Sequence, residues 1–124
     1  MPEVEPLLLS LSQWRSLENV QFIETRAFTR RVVEAISDFE YRKIQEALLR
    51  RPAQGDVIRG SGGVRKLRVG YEGRGKRGAF RLIYYWHPIR EIFLMLFLYA
   101  KNEQNDLSPE QVRALATAVR QEFK

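Results

Sequence analysis

The chain has no cysteine and only one histidine among its 124 residues. The first absence excludes a disulfide scaffold, a Cys-ligated zinc site and thiol chemistry, and the second leaves little for a His-rich metal centre or a His-centred triad. Neither a metal nor a cofactor is expected. Long apolar runs are missing as well. Nothing approaches the roughly 18 residues of a membrane helix, and the longest run, Ile92 to Ala100, has the length of a strand. The N-terminus, Met1-Pro2-Glu3-Val4-Glu5-Pro6, is acidic where a secretory signal is basic, and Leu7-Leu8-Leu9-Ser10-Leu11 is too short for its apolar core. The expectation is a cytoplasmic protein with no membrane partner.

What is present is positive charge in one place. The chain carries +6, with 21 Lys and Arg against 15 Asp and Glu. Residues 59–81 hold eight of the basic residues and one acid, Glu72, a net of +7; the remainder has 13 basic and 14 acidic residues, a net of −1. Charge concentrated in this way is the footprint of contact with a phosphate backbone, whereas a solvated basic loop is the plainer alternative.

The length suits one compact domain, and 44% hydrophobic residues suit a globular one. Residues 1–18 read as an N-terminal arm, in which Leu8, Leu11, Trp14 and Leu17 recur at the spacing of a short amphipathic helix. The domain proper spans 19–124. Gln21 to Thr25 reads as a strand, and Phe28, Val32, Ala35, Ile36 and Phe39 follow at helical spacing with Thr25 as a cap. Ser37-Asp38-Phe39-Glu40 has the form of a capping box and opens a second helix that ends before Pro52. Strands are predicted over Val64–Val69, Phe80–Trp86 and Ile92–Tyr99, the last apolar on both faces and so interior. Leu107-Ser108-Pro109-Glu110-Gln111-Val112 carries a Ser cap, Pro at the first helical position and Gln at the box position, and so opens a final helix. The order β-α-α-β-β-β-α predicts an α+β domain, a mainly antiparallel sheet with its helices gathered mainly on one face.

Four features invite function and are weighed against plainer readings. Gly73-Arg74-Gly75-Lys76-Arg77-Gly78 matches GxGxxG, but a strand follows it where a dinucleotide site needs a helix. Its glycines do allow a backbone to approach phosphate closely. His87 stands before Pro88 at a strand turn, where a structural role is the better reading. Tyr84, Tyr85, Trp86 and Tyr99 lie beside the basic cluster, where aromatics either stack on unpaired bases or fill a core. Glu103 and Asp106 precede the last helix, as dipole partners or as proton carriers.

The order of elements, with Lys66-Leu67-Arg68-Val69, Phe80-Arg81-Leu82-Ile83-Tyr84-Tyr85 and Tyr99-Ala100-Lys101-Asn102-Glu103, resembles the RelE/HigB toxins of bacterial type II toxin–antitoxin modules, within the RelE/ParE superfamily. Gly62 to Arg68 followed by Gly73 to Gly78 resembles the HigB branch in particular. The likeness covers about residues 20–120. It implies a ribosome-dependent endoribonuclease that cuts mRNA in the decoding site and so inhibits translation. It also implies an antitoxin partner, in HigB-type modules usually one with a helix-turn-helix DNA-binding domain. By position, Lys66 and Arg68 match the paired basic residues of the family's second strand, Arg81 the arginine of the next, and Lys101 a basic residue at the end of the last. Asn102 stands where RelE has an arginine, and no tyrosine follows Tyr99.

Metal-independent RNA cleavage needs proton removal from a 2′-hydroxyl, stabilisation of the charge added at phosphorus, and protonation of the leaving oxygen. Arginine stays charged, so Arg68 and Arg81 suit gripping the phosphate. Like charges disfavour the ammonium form of lysine, which makes Lys66, flanked by Arg65 and Arg68, the candidate general base. Lys101 is a second base or the acid for the leaving group, and Glu103 and Asp106 are candidate proton carriers. Arg65, Arg74, Lys76, Arg77 and Asn102 are expected to hold the RNA. Two other activities fit the same residues: a ParE-like inhibitor of DNA gyrase, and a non-catalytic RNA- or ribosome-binding module.

Overall fold

A computed structural model describes residues 19–70 and 79–123. The expected arm over 1–18 lies outside the described residues, as does the segment from Gly73 to Gly78. The elements run β1 (Gln21–Glu24), α1 (Arg26–Ala35), α2 (Asp38–Arg50), β2 (Asp56–Val57), β3 (Arg65–Val69), β4 (Phe80–His87), β5 (Ile92–Ala100) and α3 (Pro109–Glu122). This is the expected order with one addition, the two-residue β2, which pairs with the start of β3 across the loop that follows Pro52.

Local chemistry explains the helix starts. Thr25 Oγ1 accepts from Phe28 N at 3.1 Å, satisfying one of the donors that a helix start leaves without a partner. Ser37 Oγ accepts from Glu40 N at 3.1 Å. At α3 the box is complete: Ser108 Oγ accepts from Gln111 N, and Gln111 Oε1 accepts from Ser108 N.

The sheet order is β1-β5-β4-β3-β2, with β1 parallel to β5 and the other neighbours antiparallel. β5 is therefore interior, as its two apolar faces require. It also contains an irregularity that the sequence does not advertise. Ile83 pairs with Phe97 but Tyr84 pairs with Met95, leaving Leu96 as an extra residue. Thr25 holds this bulge, its N–H donating to Met95 O at 3.0 Å and its hydroxyl to Leu96 O at 2.7 Å. The bulge reverses which residues of β5 face which way. Phe93, Met95 and Leu98 join one core layer, while Leu94, Leu96 and Tyr99 join the other.

The first layer packs Phe28, Val32, Tyr41 and Leu48 of the α1–α2 pair on one face of the sheet. The second packs Leu115 and Val119 of α3 on the opposite face. Two of the three helices thus share a face, and the third covers the other. A strand as apolar as β5 needs cover on both sides, and α3 supplies it on the second.

Candidate functional site

The site arises from alternation along β3 and β4. Leu67 and Val69 turn toward the α1–α2 layer, which sends Lys66 and Arg68 to the face that α3 covers. Strand register then brings partners into rows. Lys66, Ile83 and Phe97 form one row, and Arg68, Arg81 and Tyr99 the next. Adjacent strands lie about 4.8 Å apart, so each row is about 10 Å wide. α3 begins over Phe97, with Leu107 and Ser108 beside that ring, and ends with Phe123 against Tyr85 and His87. The Arg68–Arg81–Tyr99 row therefore lies past the start of the helix.

Asp106, just before α3, closes onto this group, its Oδ1 3.2 Å from Lys66 Nζ. A bond from Leu107 N, the Lys66 ammonium and, more weakly, the Arg81 charge hold the Asp106 carboxyl below the ordinary aspartate range. The Tyr99 hydroxyl is pushed above its usual range, first by burial and then by the Asp106 charge, with Arg81 opposing. Tyr99 Oη and Arg81 Nη1 are both buried side-chain atoms without a hydrogen-bond partner among the described residues. Burying such groups unpaired costs free energy, as does the like-charge pair of Arg68 and Arg81 directly across the strands. An anion bound between them would offset both costs.

Of the other candidate residues, Arg68 shares the row of Arg81, and the rest separate from this group. Arg68 starts on the site face, but its exposed side chain also borders a groove with Glu40 and Lys43 of α2. Arg65 alternates to the opposite face, where its Nη1 donates to the carbonyls of Ala53 (3.1 Å) and Gly55 (2.7 Å). Lys101 and Asn102 are exposed on the turn after β5, with Lys101 N 3.4 Å from Ala79 O. Glu103 accepts from Ala100 N at 3.0 Å and pairs with Arg31 of α1. Those two contacts lower its carboxyl below the usual range and tie it to the turn rather than to Lys66. Arg74, Lys76 and Arg77 lie outside the described residues.

Of the aromatics, Tyr84 is structural: its hydroxyl donates to Pro52 O (2.8 Å) and accepts from Gly55 N (2.9 Å). Trp86 packs on Phe93, and Tyr85 on Phe123. His87 Nδ1 accepts from Arg90 N at 3.2 Å, the structural role expected of it. Tyr99 alone among these joins the cations. Simple alternation from Phe93 and Met95 sends Tyr99 to the wrong face, and only the bulge at Leu96 brings it over. The sequence signal for it was therefore hidden by one inserted residue.

A family model described as "RelE toxin of RelE / RelB toxin-antitoxin system" matches residues 20–123, which takes in every described element. The match agrees with the five-stranded, mostly antiparallel sheet and its three helices. The chain belongs to the RelE toxin family, the toxin half of a toxin–antitoxin system.

Proposed function

We propose that this toxin is a ribosome-dependent mRNA endoribonuclease of the HigB type, acting in the bacterial cytoplasm and held in check by an antitoxin with a helix-turn-helix domain. The observation that carries the reading is the pair of buried polar atoms, Arg81 Nη1 and Tyr99 Oη, without a hydrogen-bond partner among the described residues and beside the Lys66–Asp106 pair. Such a group suits an incoming phosphate better than it suits a protein interface, and this argues against the gyrase alternative.

In the proposed reaction the 2′-oxygen attacks the adjacent phosphorus, the 2′-O–P bond forms and the P–O5′ bond breaks. The products are a 2′,3′-cyclic phosphate and a free 5′-hydroxyl. Lys66 passes a proton from its ammonium to the Asp106 carboxylate with which it pairs, and takes the 2′-hydroxyl proton in its place. Asp106 lies within hydrogen-bond distance of its Nζ, so the two act as one proton-handling unit. Arg81 and Arg68 hold the non-bridging oxygens, whose charge grows in the transition state. Lys101, exposed past the end of β5, returns a proton to the leaving 5′-oxygen. Arg74, Lys76, Arg77 and Asn102 grip the RNA backbone outside the reacting centre. The ribosome supplies much of the positioning, which is why a site with so few acid–base groups suffices.

The test is purified protein with programmed ribosomes and mRNA, scored for discrete cuts and for cyclic-phosphate ends, beside a gyrase supercoiling assay. Cuts without gyrase inhibition support the reading. Gyrase inhibition without cuts refutes it.

A further inference from the structure

A second feature sits next to the cationic rows. A cleft of about 280 Å³ opens between β5 and the start of α3, with Phe97, Leu107 and Leu115 as apolar walls and Ser108, Glu110 and Gln111 at its polar side. Its volume falls just below the roughly 300–1,000 Å³ of small-ligand pockets. It has room for one flat ring, and little for a sugar and phosphate besides.

Its position relates it to the site. Phe97 shares a row with Lys66, and its ring centroid is 5.9 Å from that of Tyr99, the cross-strand partner of Arg81. A phosphate held at Arg81 therefore has its own nucleoside within reach of Phe97. The half-buried Phe97 ring offers a face of the kind on which bases stack. The polar side is selective. Gln111 Oε1 is already engaged by Ser108 N and Gln104 Nε2, at 2.9 and 3.1 Å, and Ser108 Oγ by Gln111 N. Glu110, exposed in the first turn of α3, also lines the cleft and is its one acidic residue among the described residues. A carboxylate accepts two hydrogen bonds side by side, and among the four RNA bases guanine presents two adjacent donors, N1–H and the N2 amino group.

We infer that this cleft is a nucleobase subsite, which seats the base next to the scissile phosphate against Phe97 and favours guanine through Glu110. The inference rests on the nuclease reading above and adds to it a determinant of where the toxin cuts. The charge cluster gives affinity for any RNA backbone; the cleft gives the base its say.

The experiment uses the full chain on ribosomes programmed with mRNAs that carry each of the four bases at each position of the decoded codon, comparing wild type, Glu110→Gln and Phe97→Leu. Wild type is expected to prefer guanine at one position. Glu110→Gln should cut that preference by about tenfold, as loss of a bidentate base contact does. Phe97→Leu should slow cutting for every base at that position. Neither change touches Lys66, Arg81 or Asp106. An unchanged base preference in both variants, while wild type cuts, overturns the subsite and leaves the nuclease intact. Loss of antitoxin neutralisation with base preference retained overturns it too, because the cleft then seats a protein side chain. Should wild type fail to cut, the nuclease reading falls, and the subsite is decided by binding of 2′-O-methyl trinucleotides with and without guanine. Guanine-dependent NMR shifts at Phe97 and Leu107 that vanish in Glu110→Gln support it, and their absence overturns it.

Discussion

Asp106 Oδ1 stands 3.2 Å from Lys66 Nζ, a contact that bridges forty residues of chain and ties the start of α3 to the middle of β3. Half of this pair is the candidate base, so its chemistry can be separated from its charge. Lys66→Arg keeps the positive charge but offers no free amine. If Lys66 takes the proton, Lys66→Arg should cut programmed mRNA as poorly as Lys66→Ala, at least about a hundredfold below wild type. Asp106→Asn should shift the pH–rate profile rather than abolish cutting. Recovery of the rate in Lys66→Arg would assign Lys66 to charge stabilisation instead.

The buried polar group of the α1–α2 layer predicts a stability effect. Glu24 is 2% exposed on β1, accepting from Thr29 Oγ1 and, at 2.6 Å, from Tyr41 Oη. Burial, with the Glu24 charge beside it, pushes the Tyr41 hydroxyl well above its usual range and keeps it a donor. Tyr41→Phe leaves a buried carboxylate oxygen short of a donor, at a cost of about 1.5–3 kcal/mol. A fall in Tm of about 5–10 °C is expected by calorimetry. An unchanged Tm would show that Glu24 finds another partner.

The turn after β5 predicts a pH dependence. The Glu103 carboxyl is lowered by Ala100 N and Arg31, so the stability it adds is present above its unfolded value, about 4.3. That stability is lost as pH falls through the lowered folded value. Both partners are partly exposed, at 35% and 47%, so the effect is below about 1 kcal/mol. Wild type should be slightly more stable than Glu103→Gln at pH 7, with the two melting curves converging as pH falls through the lowered folded value and also in high salt. A gap that persists at low pH would contradict the pairing.

How far the sequence carries the account depends on whether a contact is local. Ser108, Pro109 and Gln111 act within one helical turn, and the end of α3 that they build is readable from four letters. Alternation is nearly as local, so Lys66 and Arg68 on one face of β3 follow from β-strand geometry alone. What could not be read depends on distant parts of the chain. The tie of Arg65 to the Ala53 and Gly55 carbonyls removes one expected RNA contact from the group, although its alternation already set it opposite Lys66. The bulge at Leu96, pinned by Thr25 from 71 residues away, decides which way Tyr99 faces. The anchoring of Glu103 to α1, and the burial of Glu24 at the end of β1, both depend on helices packing where no periodicity records it.

The basic segment beyond β3 predicts a salt effect. Arg74→Ala and Lys76→Ala should weaken binding to RNA of any sequence and each reduce the salt slope by about one. Base preference should be unaltered. Titration of a non-cleavable mRNA at several salt concentrations measures both, and an unchanged slope would remove these residues from the RNA path.

The most direct test concerns Arg81, whose buried Nη1, without a partner among the described residues, carries the functional reading. Cleavage of programmed ribosomal mRNA is measured for wild type and for Arg81→Ala, with folding of the variant checked by its melting curve. The account predicts discrete cuts by wild type and a loss of about two to three orders of magnitude in the folded variant. Cutting at the wild-type rate by a folded Arg81→Ala protein would contradict it.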